Sequence, residues 1–307
     1  MFEIDGKRWN LPATWEKQGE GFRNFKAKPD DVWIVTQPRS GTTLTQEIIW
    51  LLANDLDYES AKKFRLDPKV LEAVPVDASK PAYEVYAHLP SPRIIKTHLA
   101  LSVHKGILDS GCKIVYVLRN PKDMLVSRGR LFTVGSNPFY RNGIQSYIKE
   151  FIDDECKHLA ELSSESFVQM VRRSFKCQIR IKQMIFAPQD LIGGIKKIAS
   201  FLGKSYSDEQ VAELAAHLDI DTFRKNPMVN QLPGLEDRIF TFIGKGLVGG
   251  WKEVLTPELE AEVDRWIEKN TKDTDIAFPY LRKPCSFVDH DRVNILVERH
   301  LNNLNLN

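Results

Sequence analysis

Three stretches of the chain pass from β-branched and apolar residues to polar ones without an intervening linker. In Asp31-Val-Trp-Ile-Val-Thr-Gln-Pro-Arg-Ser-Gly-Thr-Thr43 the apolar run ends in a tight loop. Leu44, Ile48, Leu51 and Leu52 then recur at i, i+4, i+7 and i+8. This pattern predicts a buried strand, a polar loop and an amphipathic helix that begins at once. Arg93-Ile-Ile-Lys-Thr-His98 predicts a second short strand; the prolines of the preceding Leu89-Pro-Ser-Pro92 forbid helix there. Cys112-Lys-Ile-Val-Tyr-Val-Leu-Arg119 predicts a third. After it Asn120 can cap a helix, Pro121 suits its first position and Asp123 its first turn.

Beyond residue 140 the pattern is mainly helical. Leu191 to Leu202, with Ile195, Ile198, Ala199 and Phe201 on one face, predicts a helix ending at Gly203. Ser207-Asp-Glu-Gln210 has the spacing of a capping box and opens another through Val211, Leu214, Ala215 and Leu218. Phe240-Thr-Phe-Ile-Gly-Lys-Gly246 reads as a glycine-punctuated loop, and Thr256-Pro257 opens a last helix through Leu259, Val263, Trp266 and Ile267. Strands followed by helices predict an α/β fold with a central parallel sheet flanked by helices. In all three segments the polar residues stand at the carboxyl end of the strand, the edge where parallel sheets bind ligands. If the strands are neighbours, Arg39, His98 and Arg119 meet in one crevice.

Composition narrows the picture. The chain has 307 residues, 42% of them hydrophobic and 27% charged, as in an ordinary globular protein. A formal net charge of only +2 argues against a nucleic-acid surface. Cys112, Cys156, Cys177 and Cys285 are widely spaced and form no metal-ligand pattern, which predicts free thiols in a reducing compartment. Asp5, Glu16, Lys17 and Glu20 interrupt residues 1–30, so no secretory signal is read there. No apolar run reaches the roughly 18 residues of a membrane span. The expectation is a cytoplasmic protein without membrane or nucleic-acid partners and without a metal.

The loop at 37–43 has the chemistry of an anion cradle. The first N–H groups of a helix lack partners within it, its dipole is positive there, and Arg39 adds charge. The spacing GxxxxGK[ST] is absent, which disfavours a Mg-dependent nucleoside triphosphatase or kinase.

Together, Gln37-Pro-Arg-Ser-Gly-Thr-Thr43, Lys96-Thr-His-Leu99, Tyr116-Val-Leu-Arg-Asn-Pro-Lys-Asp123 with Ser127, and Gly244-Lys-Gly246 followed by Gly249-Gly-Trp-Lys252 resemble the cytosolic sulfotransferases. The loop together with Asn54-Asp-Leu-Asp-Tyr58 is most similar to the arthropod branch of that family. The resemblance spans roughly residues 30 to 280. It implies a P-loop-like three-layer fold, in one domain over residues 1–280, and the donor 3′-phosphoadenosine-5′-phosphosulfate (PAPS). It further implies that the sulfuryl group passes without a metal to a hydroxyl or amine of a small hydrophobic acceptor such as an alcohol or phenol. Arg39, Ser40, Gly41, Thr42 and Thr43 are implied at the 5′-phosphate, His98 as general base, and Lys96 at the transferring group. Arg119 and Ser127 are implied at the 3′-phosphate, with Gly244, Lys245 and Gly246 closing over it. Phe22, Phe25, Tyr83, Tyr86, Phe132 and Phe139 are aromatic residues available to an acceptor pocket.

The chain departs from the family pattern at several points. Arg39 replaces a usual lysine, and Leu44 replaces a tryptophan that stacks on the adenine. Gly244 replaces an arginine, and Met184 falls where a donor-contacting tyrosine stands, with Ile179, Ile181 and Gln183 alternating before it. These leave a second expectation open: a sulfotransferase-like protein of weak turnover that binds nucleotide or a hydrophobic ligand. The family also forms homodimers through a segment beginning Lys-x-x-x-Thr. Lys252 and Thr256 match it, whereas Pro257 and Ala261 do not. Residues 281–307 extend past the usual family end and carry no assigned role.

Overall fold

The computed structural model describes residues 2–4, 7–9, 15–63, 81–99, 104, 106–107, 109–133, 143–153, 183–186, 190–230, 243–244, 246 and 248–272. Two three-residue strands, β1 (Phe2–Ile4) and β2 (Lys7–Trp9), pair antiparallel ahead of helix α1 (Trp15–Arg23). Then come β3 (Val32–Thr36), α2 (Thr42–Ala53), α3 (Tyr58–Lys63), α4 (Ala82–Ala87), β4 (Ile94–Thr97), β5 (Lys113–Val117), α5 (Pro121–Thr133) and α6 (Gly143–Ile152). The remainder is β6 (Gln183–Phe186), α7 (Leu191–Leu202), α8 (Asp208–His217), α9 (Ile220–Phe223), α10 (Pro227–Asn230), a 3₁₀ turn (Gly250–Glu253) and α11 (Pro257–Thr271).

The four longer-range strands form one parallel sheet in the order β4-β3-β5-β6. Every residue of β3 is buried, as a central strand covered on both faces requires. Its alternation sorts the two cores. Trp33 and Val35 join Phe22, Tyr86, Ile95, Ile114 and Tyr116 on one face. Val32 and Ile34 join Ile48, Leu52, Val115, Ile198 and Leu214 on the other. A third cluster packs α5, α6 and α11 around Tyr147, Phe151, Trp251 and Trp266. The expected central parallel sheet between helical layers is therefore present.

Several local signals act as expected. Ser207 and Gln210 form a reciprocal capping box, Gly203 ends α7 at φ 77°, and Thr256 caps α11 with Pro257 following. The strand near Met184 is β6, whose backbone sets Met184 opposite Val115. It begins at Gln183, and Ile179 and Ile181 lie outside the described residues. So do Cys156, Cys177, Cys285, Lys245, Phe139 and residues 281–307. Cys112 is a buried free thiol. Among the described residues, no helix is long and apolar enough to cross a membrane.

The amino ends of β3 and β4 are sealed by a buried ion pair. Arg93 donates from Nε and Nη2 to the two carboxylate oxygens of Asp31 at 2.8 and 2.6 Å, and from Nη1 to the Tyr86 carbonyl. Both side chains are essentially inaccessible to water. Phe25 covers the guanidinium at 5.0 Å.

Candidate active site

At the opposite, carboxyl end, β3 gives way to the loop 37–41. The chain leaves β3 toward β4 on one side and leaves β5 toward β6 on the other. The crevice between the ends of β3 and β5 is thus a topological switch point, the place where open α/β sheets bind ligands. Arg39 and Arg119 follow those two strands.

The loop is built to expose backbone donors. Arg39 takes φ 71° and Gly41 φ 107°. The left-handed region costs a non-glycine residue roughly 1–2 kcal/mol, so Arg39 carries strain that the glycine at 41 does not. Gly41 stands at the N-cap of α2, and no side chain caps that helix. Among the described residues, the first N–H groups of α2 have no helical or side-chain acceptor, and they stand beside the crevice at the end of β3. The Gly41 carbonyl receives both the N–H and the hydroxyl of Thr45 at 3.0 Å, which fixes the helix start.

The side chains of the three strand ends interlock. Arg119 donates from Nη1 to the Arg39 carbonyl at 2.9 Å, and Arg39 donates from Nε to Ser127 Oγ on α5 at 3.2 Å. His98 Nδ1 lies 2.7 Å from the Thr36 carbonyl. A carbonyl only accepts, so Nδ1 carries a proton, and in the neutral imidazole Nε2 holds the lone pair. Lys96 lies two residues back on β4 and shares the strand face of His98; the alternate residues Ile95 and Thr97 are buried on the other face.

Burial and the neighbouring Arg119 lower the Arg39 guanidinium from 12.5 to about 10. Burial is also the main cause of a lowered pKa at Arg119, with the Asp123 carboxylate acting in the opposite sense. Both remain cations at neutral pH. Two partly desolvated arginines beside an uncapped helix start form a strongly anion-attracting arrangement.

Sequence reasoning and geometry differ at several residues. Thr36 Oγ1 donates to the Gln37 carbonyl at 2.8 Å, so Thr42, 3.2 Å away, donates its hydroxyl to Thr36. Thr42 thus turns its hydroxyl onto the end of β3. Ser40 is buried and closes a turn onto Gln37, while Thr43 is partly exposed. Leu44 packs at the edge of the α2 core. Phe22, Phe25 and Tyr86 are core residues with little or no exposure, packed with Trp33 and Ile95; Tyr83 lies against the same cluster. These four fill the layer under β3 and β4, because aromatic content alone does not separate a pocket wall from a core.

Gly244 and Gly246 are exposed, on a segment anchored to α5 further along. The anchor is Asp123, which accepts the Gly249 N–H at 2.9 Å. The sequence marked Asp123 only as a first-turn acid. Its neighbour Lys122 lies 4.2 Å from the centre of the Trp251 ring and bonds Glu260 and Asp264 of α11 at 2.9 Å each. The start of α5 therefore carries both Arg119 and the tether of the second loop. That function was hidden because its partner stands 126 residues away.

Residues 29–275 match the family model described as the sulfotransferase domain. The chain belongs to the sulfotransferase family. It is similar to Sulfotransferase 4A1 of Homo sapiens, 28% identical over 285 residues that cover 91% of this chain and 93% of the relative. Sulfotransferase 1A1 of Mus musculus is 30% identical over 274 residues, covering 84% and 90%. Among solved structures it resembles retinol dehydratase in complex with retinol and PAP, with a TM-score of 0.73 and 26% identity over 88% of this chain and 89% of that one. The P-loop-like α/β fold and the activity class, a sulfotransferase enzyme, follow from these likenesses.

Proposed function

We propose that this sulfotransferase moves the sulfuryl group of PAPS to the hydroxyl of a small hydrophobic alcohol or phenol, with His98 as the general base. The observation that carries the reading is the convergence of three strand ends. Arg39, Arg119 and the bare start of α2 line one crevice, and His98 stands at the same sheet edge with Nε2 as its basic nitrogen. The retinol dehydratase structure is a complex with retinol, a hydrophobic alcohol, and PAP, which supports both the donor and the acceptor class.

In this reading the α2 amides and Arg39 hold the 5′-phosphate and neutralise the charge it gains as the sulfur–oxygen bond to it breaks. His98 Nε2 takes the acceptor's hydroxyl proton while that oxygen bonds to sulfur in line. Lys96 steadies the transferring group. Arg119 and Ser127 read the 3′-phosphate, and Gly244, Lys245 and Gly246 cover it. Arg39 reaches Ser127, so in this reading the two phosphates share one hydrogen-bonded group. A sulfated alcohol with an acidic neighbouring hydrogen could go on to eliminate sulfate, a variant of the same chemistry. Placement in the arthropod-like branch rests on the 38–43 loop and the 54–58 motif.

Transfer of labelled sulfuryl from PAPS to a panel of hydrophobic alcohols and phenols tests the proposal. His98→Ala should lower kcat by about 10²–10⁴-fold, the usual worth of a positioned general base, with its melting temperature kept. Equal rates in folded wild type and variant would overturn it. A second reading, a weakly turning-over binder, rests on Leu44, Gly244 and Met184; tight adenosine 3′,5′-bisphosphate binding without transfer would favour it.

A further inference from the structure

One buried histidine has no part in the chemistry above. His104 is 1% exposed and lies against the Trp33 ring at 5.4 Å between centroids. Its two nitrogens have different partners. Nδ1 lies 3.2 Å from the Phe22 carbonyl in the last turn of α1, and Nε2 lies 3.2 Å from Thr97 Oγ1 at the end of β4. Thr97 Oγ1 in turn accepts the Leu99 N–H at 3.0 Å.

Donor and acceptor roles in this chain are forced. The Phe22 carbonyl can only accept, so Nδ1 carries the hydrogen and Nε2 must accept. The Thr97 hydroxyl therefore donates to Nε2 and accepts from Leu99 with its lone pair. The Phe22 carbonyl is one of those a helix end leaves without an internal acceptor role, at the negative end of its dipole. Burial lowers the His104 imidazole from 6.5 to about 4, which keeps it in this neutral form near pH 7.

The residue between Thr97 and Leu99 is His98. The hydroxyl-to-amide bond spanning it is a short local turn that sets the backbone of the middle residue. We propose that His104 is a positioning residue for His98: by orienting the Thr97 hydroxyl it locks the Thr97–Leu99 turn, and so keeps the His98 ring on the Thr36 carbonyl with Nε2 basic. The proposal rests on the reading of His98 as the proton acceptor. His98 is then held twice, through its ring to β3 and through its backbone, via His104, to α1.

Two substitutions divide the link. His104→Gln can place a carboxamide acceptor where Nε2 lies and keeps the Thr97 bond. His104→Asn can place a donor where Nδ1 lies and keeps only the Phe22 bond. Each loses one hydrogen bond, so a purely structural role predicts matched stability losses and unchanged kcat in both. Positioning predicts kcat within about threefold of wild type for Gln and on the order of tenfold lower for Asn, the scale of small misplacements of a reacting group. The KM for PAPS should not change in either. The ¹⁵N shifts of His98 supply a readout independent of turnover: the Nδ1–H tautomer in wild type and His104→Gln, and a mixture of tautomers in His104→Asn. Wild-type kcat and an unchanged His98 tautomer in both variants would overturn the proposal. Should wild type and His98→Ala transfer equally, the reading of His98 fails, while the tautomer comparison still decides the role of His104.

Discussion

The two ends of the same strands use arginine in opposite ways. At the amino ends of β3 and β4, Arg93 is matched to Asp31 by two hydrogen bonds and further satisfied by the Tyr86 and Lys26 carbonyls. At the carboxyl ends, Arg39 reaches a serine hydroxyl, Arg119 reaches a backbone carbonyl with the Asp123 carboxylate nearby, and Arg119 lowers the Arg39 pKa. A buried charge completed by its partner closes a structure. Two cations set side by side at the start of a helix invite an anion. The difference explains why stability should reside at one end of the sheet and binding at the other.

The largest expected effect breaks the sealed end. Asp31→Ala leaves Arg93 buried without its carboxylate and should cost about 3–5 kcal/mol of stability, read as a large fall in the denaturation midpoint. The same loss at Arg119→Ala would erase the distinction between the ends.

Acid should act on the carboxyl end through His104. Its folded pKa of about 4 lies below the unfolded value of 6.5, so the unfolded chain binds the proton first. The contribution of this group is complete above about pH 6.5 and is lost as pH falls toward 4. Its size is about 3 kcal/mol from the linkage relation. Denaturation at pH 7 and pH 4.5 should show the loss in wild type and a smaller one in His104→Leu; identical pH slopes would contradict the neutral, buried state of the imidazole.

Next in size is Arg119→Ala. Removing a charged hydrogen bond to a bound phosphate should cost about 1.5–3 kcal/mol, roughly ten- to a hundredfold in affinity for adenosine 3′,5′-bisphosphate. Calorimetry checks this. The change should not greatly affect the melting temperature without ligand, in contrast to Asp31→Ala.

The smallest effect is a gain. Leu44→Trp restores an aromatic face at the start of α2 and should tighten nucleotide binding by about 0.5–1.5 kcal/mol, the worth of an aromatic contact beyond its buried area. Unchanged affinity would place the base away from position 44.

Much of this division was legible in the sequence. The β-branched runs gave β3, β4 and β5, and the polar residues at their carboxyl ends proved to share one sheet edge. Capping residues are strong local signals because their partners lie three residues away, and Ser207, Gly203 and Thr256 all act as such. What escaped the sequence was set at long range or by weak patterns. β1 and β2 are three residues each and carry Glu3, Lys7 and Arg8, too short and too charged to show an alternation. Phe22 and Tyr86 read equally well as pocket or core until the sheet is built over them. Asp123 and His104 act on Gly249 and on Phe22 and Thr97, and no spacing rule links those positions.

The central claim is that the crevice between the ends of β3 and β5 binds a nucleotide with phosphates at both the 3′ and 5′ positions. Calorimetric titration of the wild-type protein with adenosine 3′,5′-bisphosphate and with adenosine 5′-monophosphate tests it most directly. The account predicts micromolar affinity for the bisphosphate, on the order of −8 kcal/mol, and at least tenfold weaker binding of the monophosphate, which offers nothing to Arg119 and Ser127. Equal affinities, or no binding of the bisphosphate at millimolar concentration, would contradict it.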